Sequence, residues 1–309
     1  MSKTVPTSVT LGTRGSPLAL LQTYDVRDRL IAANPGLTVE IAEITVVGDQ
    51  IQDRALAEVG GKGLFTKELD RAILDGRCDA AVHSMKDMPV DQPEGLVLDC
   101  YLPREDVRDA FVSLNHDSLA ALPEGAIVGT SSLRRRAQLA ARRPDLKVVE
   151  FRGNVQTRMK KLQDGVADAT FLAMAGLNRL GMADVARSAI DPDEMLPAVA
   201  QGAIGIERRM DDSNTAGLLE AIHDGVTGQR LTAERAFLEA LDGSCETPIA
   251  GLATLDGGTL RLRGEVLRPD GSEVIADDRT CPVEDGAELG RVMAKDMLAQ
   301  AGPDFFSWR

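Results

Sequence analysis

Three kinds of side chain in this sequence stand where they could do chemistry, and the first is a set of arginines. The stretch GTSSLRRRAQLAARRPDLKVVEFRGNVQTRMKK, residues 129–161, holds ten Lys and Arg against two acids, in a chain of net charge −13. Arg134 and Arg135 follow Ser131 and Ser132 at the start of a helical pattern, and Arg152 and Arg158 surround the next strand-to-helix turn. Arg14 and Ser16 repeat the device in GTRGSP. A helix N-terminus offers unpaired N–H groups and a partial positive charge, and a guanidinium fork pairs bidentately with carboxylate or phosphate. Together they point to a polyanionic small molecule. Arg136, Arg142 and Arg143 fall on the far side or end of their helix and read as a solvated face tied to nearby acids.

The second is a carboxylate. HSMKDMP puts Lys86 and Asp87 at the end of a buried strand, and the residue before Pro89 favours an extended exit. Asp87 there suits general acid/base work or stabilisation of a developing cation; a structural Lys86–Asp87 pair is the competing reading. The third is a thiol. Cys245, in GSCETPIAG, lies among small residues outside any apolar period, as a nucleophile or covalent tether would. Cys78 and Cys100 read as packing residues, and Cys281 as the start of a turn. VGGKGLF lacks the spacing of a phosphate-binding P-loop, leaving a mobile loop from which Lys62 can reach an anion. His83, His116 and His223 have no metal-ligand spacing, so no metal site is expected.

The elements that must position these groups follow a βαβ rhythm. SVTLG is strand-like; the helix after it has Ser16 as N-cap and Pro17 at its first position. VEIAEITVV is a second strand, an amphipathic helix ends at Gly76, and DAAVHS is a short buried strand. From about residue 105 the rhythm restarts: AIVGTSS, KVVEFRG and DATFLA each run from strand into Gly, Ser, Asn or Arg at a helix start. MLPAVAQGAIGIE reads as loop then strand, with a return to the first lobe expected there. The expected class is α/β: two lobes with mostly parallel sheets around a cleft, joined by two crossings. Lobe 1 is 1–104 with 195–217, and lobe 2 is 105–194. Residues 218–309 form a smaller α+β domain: a helix at TAERAFLEALDG, a β-meander turning at Asp256-Gly257-Gly258 and Asp270-Gly271, and a closing amphipathic helix.

Composition excludes several classes. The chain has 309 residues with 43% hydrophobic, 27% charged and 3% aromatic content, a soluble globular balance with few stacking platforms for single-stranded nucleic acid. Net acidity argues against phosphate-backbone binding. MSKTVPTSVT has no apolar run of signal-peptide length and nothing later approaches a membrane span, so a cytoplasmic protein with free thiols is expected.

The residues together resemble the hydroxymethylbilane synthase, or porphobilinogen deaminase, family. TRGSPLAL, VGGKGLFTKEL, AVHSMKDMP, REDVRDAFVS, GTSSLRRRAQL, RGNVQTR, LAMAGLNRLG, LPAVAQGAIGIE and GSCETPI match in the family's order and cover nearly the whole chain. The resemblance implies two lobes like periplasmic binding proteins plus a third domain. It implies head-to-tail condensation of four porphobilinogen molecules on a dipyrromethane cofactor held by a thioether to Cys245. Ammonia is released at each step, and the linear tetrapyrrole is finally hydrolysed off. Each ring bears an acetate and a propionate, so the arginines counter a growing polycarboxylate. By motif position, Ser84, Lys86, Asp87, Thr130, Ser132, Arg134, Arg135 and Arg158 bind the cofactor. Arg14, Ser16, Gln22, Lys62, Arg152, Arg158, Arg179 and Gln201 bind substrate, and Asp87 is catalytic. A monomer without nucleic-acid or membrane partners is expected. Glu58 stands where the family often has lysine, and GSC replaces the commoner GGC. The rival reading is a non-enzymatic two-lobed polycarboxylate-binding protein; it leaves Cys245 and the third domain unexplained.

Overall fold

The computed structural model describes residues 6–241, apart from 51–64 and the side chains of 49 and 50, together with 247–302 and 305–306. Lys62, Glu58 and Cys245 lie outside the described residues. In chain order the first elements are β1 (Ser8–Thr13), α1 (Pro17–Ala33), β2 (Thr38–Glu43), α2 (Val47–Gln50), α3 (Lys67–Leu74), β3 (Ala80–Ser84), β4 (Leu96–Tyr101) and β5 (Asp109–Ser113). Then come β6 (Ile127–Gly129), α4 (Leu133–Arg142), β7 (Lys147–Val149), α5 (Val155–Gln163), β8 (Ala169–Ala173), α6 (Met174–Arg179) and β9 (Ser188–Ala189). The remainder is β10 (Ile204–Arg209), α7 (Ser213–Glu220), α8 (Gly225–Ala240), β11 (Ile249–Asp256), β12 (Thr259–Leu267), β13 (Val274–Pro282) and α9 (Gly286–Gln300).

Two compact units emerge: Met1–Glu105 with Gly202–Gly228, and Asp106–Gln201 with Gln229–Arg309. In the first, the sheet order is β2-β1-β3-β10-β4; β1 pairs parallel with β2 and β3, and β10 pairs antiparallel with β3 and β4. In the second, the order is β7-β6-β8-β5-β9, with β6 parallel to β7 and β8 and β5 antiparallel to β8 and β9. Both sheets therefore share one plan, a parallel three-stranded half extended by an antiparallel return. The expected mostly parallel sheets are thus mixed, because β10 and β5 each enter from a distant part of the chain. The second unit also holds an antiparallel meander, β11-β12-β13, whose turns include Gly257 and Gly271, both at positive φ.

Local chemistry sets the element ends. Ser16 caps α1, accepting from the N–H of Ala19, and Pro17 opens it, since a first-turn proline forfeits no helical bond. Ser132 and Asn154 cap α4 and α5 in the same way. Gly76, at φ +72°, ends the turn after α3. Three extents differ from expectation. The second strand stops at Glu43 and Val47 begins a helical turn; α8 starts at Gly225, well before Thr232; and Cys281 lies inside β13.

Below each sheet is an apolar layer. Leu11, Val26, Leu30, Val82, Ile204 and Ile206 pack one face of the first sheet, and Leu69, Ile73, Cys78 and Leu96 the other. Phe111, Val128, Leu139 and Phe171 pack one face of the second, while Val112, Phe151, Leu162 and Leu177 pack the opposite face. Burying each such side chain contributes ~1.5–3 kcal/mol, so strand positions are firmly held and their C-terminal ends become fixed platforms.

Candidate active site

In the first unit the platform is the end of β3. Ser84 Oγ and the Gln22 amide exchange hydrogen bonds, Gln22 Nε2 to Ser84 Oγ at 2.9 Å and Ser84 Oγ to Gln22 Oε1 at 3.0 Å. The Met85 N–H donates to the Ala203 carbonyl at 3.0 Å. Gly205 is required beside it, because a Cβ there would collide with the Met85 sulfur. A single 3-10 turn, Met85–Asp87, then lifts Lys86 and Asp87 into solvent. Asp87 makes no hydrogen bond or ion pair among the described residues, so it is not locked in a structural pair with Lys86. In the same unit the Arg14 guanidinium stacks on the Phe65 ring at 4.3 Å, and Ser16 spends its acceptor on the α1 cap.

In the second unit the arginines converge on one buried carboxylate. Arg134 Nη2 donates to Asp109 Oδ2 at 2.8 Å and Arg135 Nη2 to Asp109 Oδ1 at 2.7 Å. Their Nη1 atoms reach the carbonyls of Leu196 (2.8 Å) and Phe171 (2.9 Å). Both arginines are about 95% buried, and Asp109 completely so. Burial opposes charge on Asp109, yet the two guanidiniums outweigh it and hold its carboxyl well below the usual range. Burial also pulls Arg134 downward, against the attraction of Asp109.

Two features leave this cluster unsaturated. The Nε atoms of Arg134 and Arg135 are buried and without a hydrogen-bond partner. Arg158, half-buried, donates only to carbonyls: Nε to Gly153 at 3.0 Å and Nη1 to the same Phe171 oxygen that Arg135 uses, at 3.4 Å. Burial, then the like charges of Arg135 and Arg152, bring Arg158 down to about 10. Asp109 thus pairs with two guanidiniums, while Arg158 beside them has no hydrogen-bonded carboxylate among the described residues.

The serines and threonines build the loop around this cluster. Thr130 Oγ1 accepts from the Ser132 N–H at 3.2 Å, Ser132 Oγ from the Arg135 N–H at 3.4 Å, and Ser131 Oγ from the Phe151 N–H at 3.0 Å. Gln201 is buried, its amide donating to Asp109 Oδ1 at 2.9 Å and to the Val107 carbonyl at 2.8 Å. It follows Ala200, a non-glycine residue at φ +61° whose N–H donates to Glu234 at 2.6 Å. Gln201 is expected at the substrate; in the structure its amide also supports this hub. Arg152 and Arg179, at the ends of β7 and α6, are half-buried, and the Arg152 carbonyl accepts from Lys161 at 3.1 Å.

Arg136, Arg142 and Arg143 pair with Glu150, Glu265 and Asp145, the first pair exposed and the other two partly buried. Cys78 and Cys100 are buried, and burial pushes their thiols up to about 11 and about 12. No group of His, Cys, Asp or Glu among the described residues could hold a metal. Sequence reasoning missed Asp109 as a site residue. Its signal was an acid at the head of an otherwise apolar strand, DAFVS, in a sequence already rich in unpaired arginine.

The chain belongs to the porphobilinogen deaminase family, whose members are transferases. Residues 9–217 match "Porphobilinogen deaminase, dipyromethane cofactor binding domain", and residues 229–299 match "Porphobilinogen deaminase, C-terminal domain". The porphobilinogen deaminase of Paracoccus denitrificans (strain Pd 1222) is 65% identical over 97% of this chain and 96% of that protein. The chloroplastic porphobilinogen deaminase of Oryza sativa subsp. japonica is 52% identical over 96% and 85% of the two chains. Among solved structures, the Methionine Binding Protein, MetQ, is similar over 70% of this chain and 90% of that chain, at 14% identity and a TM-score of 0.45, too slight a likeness to build on.

Proposed function

We propose that this chain condenses four porphobilinogen molecules head to tail on a dipyrromethane primer bound through Cys245, releases ammonia at each step, and hydrolyses off hydroxymethylbilane. The observation that carries this reading is the excess of guanidinium over carboxylate around Asp109, which suits the carboxylates that every pyrrole ring of such a chain bears. When bound, the dipyrromethane supplies the free pyrrole carbon to which the first substrate ring is joined.

Arg134, Arg135 and Arg158 hold and orient carboxylates, with Thr130 and Ser132 shaping the loop that presents them. Arg14, Arg152 and Arg179 receive the carboxylates of incoming rings, aided by Ser16 and by Lys62 from the segment outside the described residues. Asp87 acts at the pyrrole nitrogen. As ammonia leaves the aminomethyl carbon, positive charge spreads to that nitrogen, and an unpaired carboxylate beside it lowers the free energy of the cation. Once the new carbon–carbon bond forms, a proton must leave the attacked ring, and the same carboxylate can take part in its transfer. Lys86 and Ser84, one and three residues away, fix how Asp87 is presented, and Gln22 braces Ser84.

No described helix is long and apolar enough to cross a membrane. A cytoplasmic monomer acting on a free small molecule is the corresponding reading of its setting, and the separate match of residues 229–299 supports treating the last third as its own domain. Incubation with porphobilinogen, followed by oxidation and absorbance measurement of porphyrin, tests the function. Porphyrin formation is expected; none from protein carrying the two-ring adduct would refute it.

A further inference from the structure

A second group of ionisable side chains lies in the first unit, and no step above uses it. His83 on β3, Glu207 on β10 and Asp70 on α3 are all buried, Glu207 completely. His83 Nε2 stands 3.4 Å from Glu207 Oε2, Thr66 Oγ1 donates to Asp70 Oδ2 at 3.4 Å, and the charge of Glu207 acts on Asp70. Asp70 Oδ1, His83 Nε2 and both Glu207 oxygens have no hydrogen-bond partner among the described residues. Two neighbouring carboxylates out of water cannot both be charged without large cost.

The cluster's place in the fold gives it a consequence. His83 immediately precedes Ser84, and in the sheet it faces Gly205 of β10, two residues before Glu207. The start of the Ser84–Asp87 turn is fixed by Ser84 on Gln22, by Met85 on Ala203 and by His83 on Glu207. Among these three anchors only the last is made by ionisable side chains. From the neighbouring elements, β1 brings no titratable side chain; on β10, Arg208 is paired with Asp99 and Arg209 with Asp212; beyond the strand lies Lys86 in the turn itself. Glu68 shares α3 with Asp70, and Asp70 is acted on by Glu207 and His83.

We propose that Asp70, Glu207 and His83 form a shared-proton unit in which Asp70 is a positioning residue, acting through Glu207 and His83 on the turn that presents Asp87. The inference rests on the reading of Asp87 as the reacting carboxylate. Burial first, and then the charge of Glu207, raise Asp70 from 3.8 to about 6. A raised carboxyl contributes stability that is complete below its unfolded value and is lost as pH rises through its folded value. Deprotonation near pH 6 therefore places a second negative charge against Glu207 and loosens the contact between α3 and β10 from which His83 is held.

Two measurements on the full-length protein carrying its cofactor test this. Carbon-13 NMR of the Asp70 carboxyl in wild type is expected to show a midpoint near 6, falling by at least about one unit in Glu207→Gln. Amide exchange at Ser84–Asp87, corrected for its intrinsic pH dependence, is expected to speed at least about threefold between pH 5 and 7 in wild type. Asp70→Asn, permanently neutral, should abolish that change and remove any inflection near pH 6 from the turnover profile. A wild-type Asp70 midpoint near the ordinary carboxylate value of about 4, or an Asp70→Asn protein whose exchange and turnover profiles superimpose on wild type, would overturn the proposal. If the protein fails to turn over porphobilinogen at all, the functional reading falls, while the NMR and exchange results still decide the shared-proton unit.

Discussion

The two five-stranded sheets follow the same plan, yet the groups at their strand ends are treated in opposite ways. At the end of β3, Asp87 is exposed and makes no hydrogen bond or ion pair among the described residues. At the start of α4, Arg134 and Arg135 are buried and pinned to Asp109 and to two carbonyls. The difference suits the tasks proposed for them. A carboxylate that must meet a transient cation gains from having no standing partner to surrender. Guanidiniums that must hold fixed carboxylates gain from being placed in advance, because the ordering cost is met during folding.

The largest effect that would sharpen this contrast is on Asp87. Asp87→Asn keeps the shape of the turn and removes its charge, so circular dichroism should be unchanged while turnover falls by about 10²–10⁴. Asp87→Glu should retain measurable activity. A loss of only a few-fold in Asp87→Asn, assayed with preformed cofactor, would remove Asp87 from the chemistry.

Stability should show the reverse pattern. Asp109→Asn leaves two buried guanidiniums without their counter-ion and should cost ~3–5 kcal/mol at neutral pH, whereas Asp87→Asn should cost little. Because the Asp109 carboxyl is held well below the usual range, its contribution is present above the unfolded value and is lost as pH falls through the folded one. Urea unfolding should therefore find the gap between wild type and Asp109→Asn wide at pH 7 and narrowing in strong acid. A gap independent of pH would mean that the hub is packing rather than charge.

Smaller effects probe the edges of the arginine cluster. Arg158→Lys keeps the charge but loses the fork, and should weaken retention of bound carboxylates by about ten- to hundred-fold, as loss of one charge-assisted contact of ~1.5–3 kcal/mol implies. Gly271→Ala would drive a Cβ toward the Ala141 nitrogen and to within 2.7 Å of the Ala140 carbonyl carbon, from a backbone at φ +72°. It should cost ~1–3 kcal/mol in thermal unfolding and disturb α4 from its far end. Ser16→Ala, which removes the α1 cap, should cost ~1 kcal/mol in thermal unfolding.

Much of the fold was readable because its signals are local. Ser16-Pro17, Ser132 and Asn154 mark helix starts through bonds that span three residues, and the glycines at 76, 257 and 271 mark turns through their own φ angles. The pairing partners of β3 and β8 were not readable, because β10 and β5 arrive from more than fifty residues away and no periodicity records which strand fills a gap. The candidate site divides along the same line. Arginine beside serine at a strand-to-helix turn announces itself, and so does an acid after a buried strand. Asp109 does not, since its role depends on Arg134 and Arg135 lying 25 and 26 residues on. Gln201, named in the sequence only by motif position as a substrate ligand, lies buried against that carboxylate. His83, considered in the sequence only as a metal ligand, faces acids contributed by a helix before it and a strand long after it.

The central claim is a division of labour: the arginines of the second unit hold carboxylates, and Asp87 of the first does chemistry. Intact-protein and peptide mass spectrometry tests it most directly, applied to Asp87→Asn and Arg135→Leu after each is supplied with preformed cofactor and then porphobilinogen. Asp87→Asn should carry a two-ring mass excess on the peptide containing Cys245 and add almost no further rings, while Arg135→Leu should remain largely unmodified. Equal loading of the two proteins, or ready elongation by Asp87→Asn, would contradict the account.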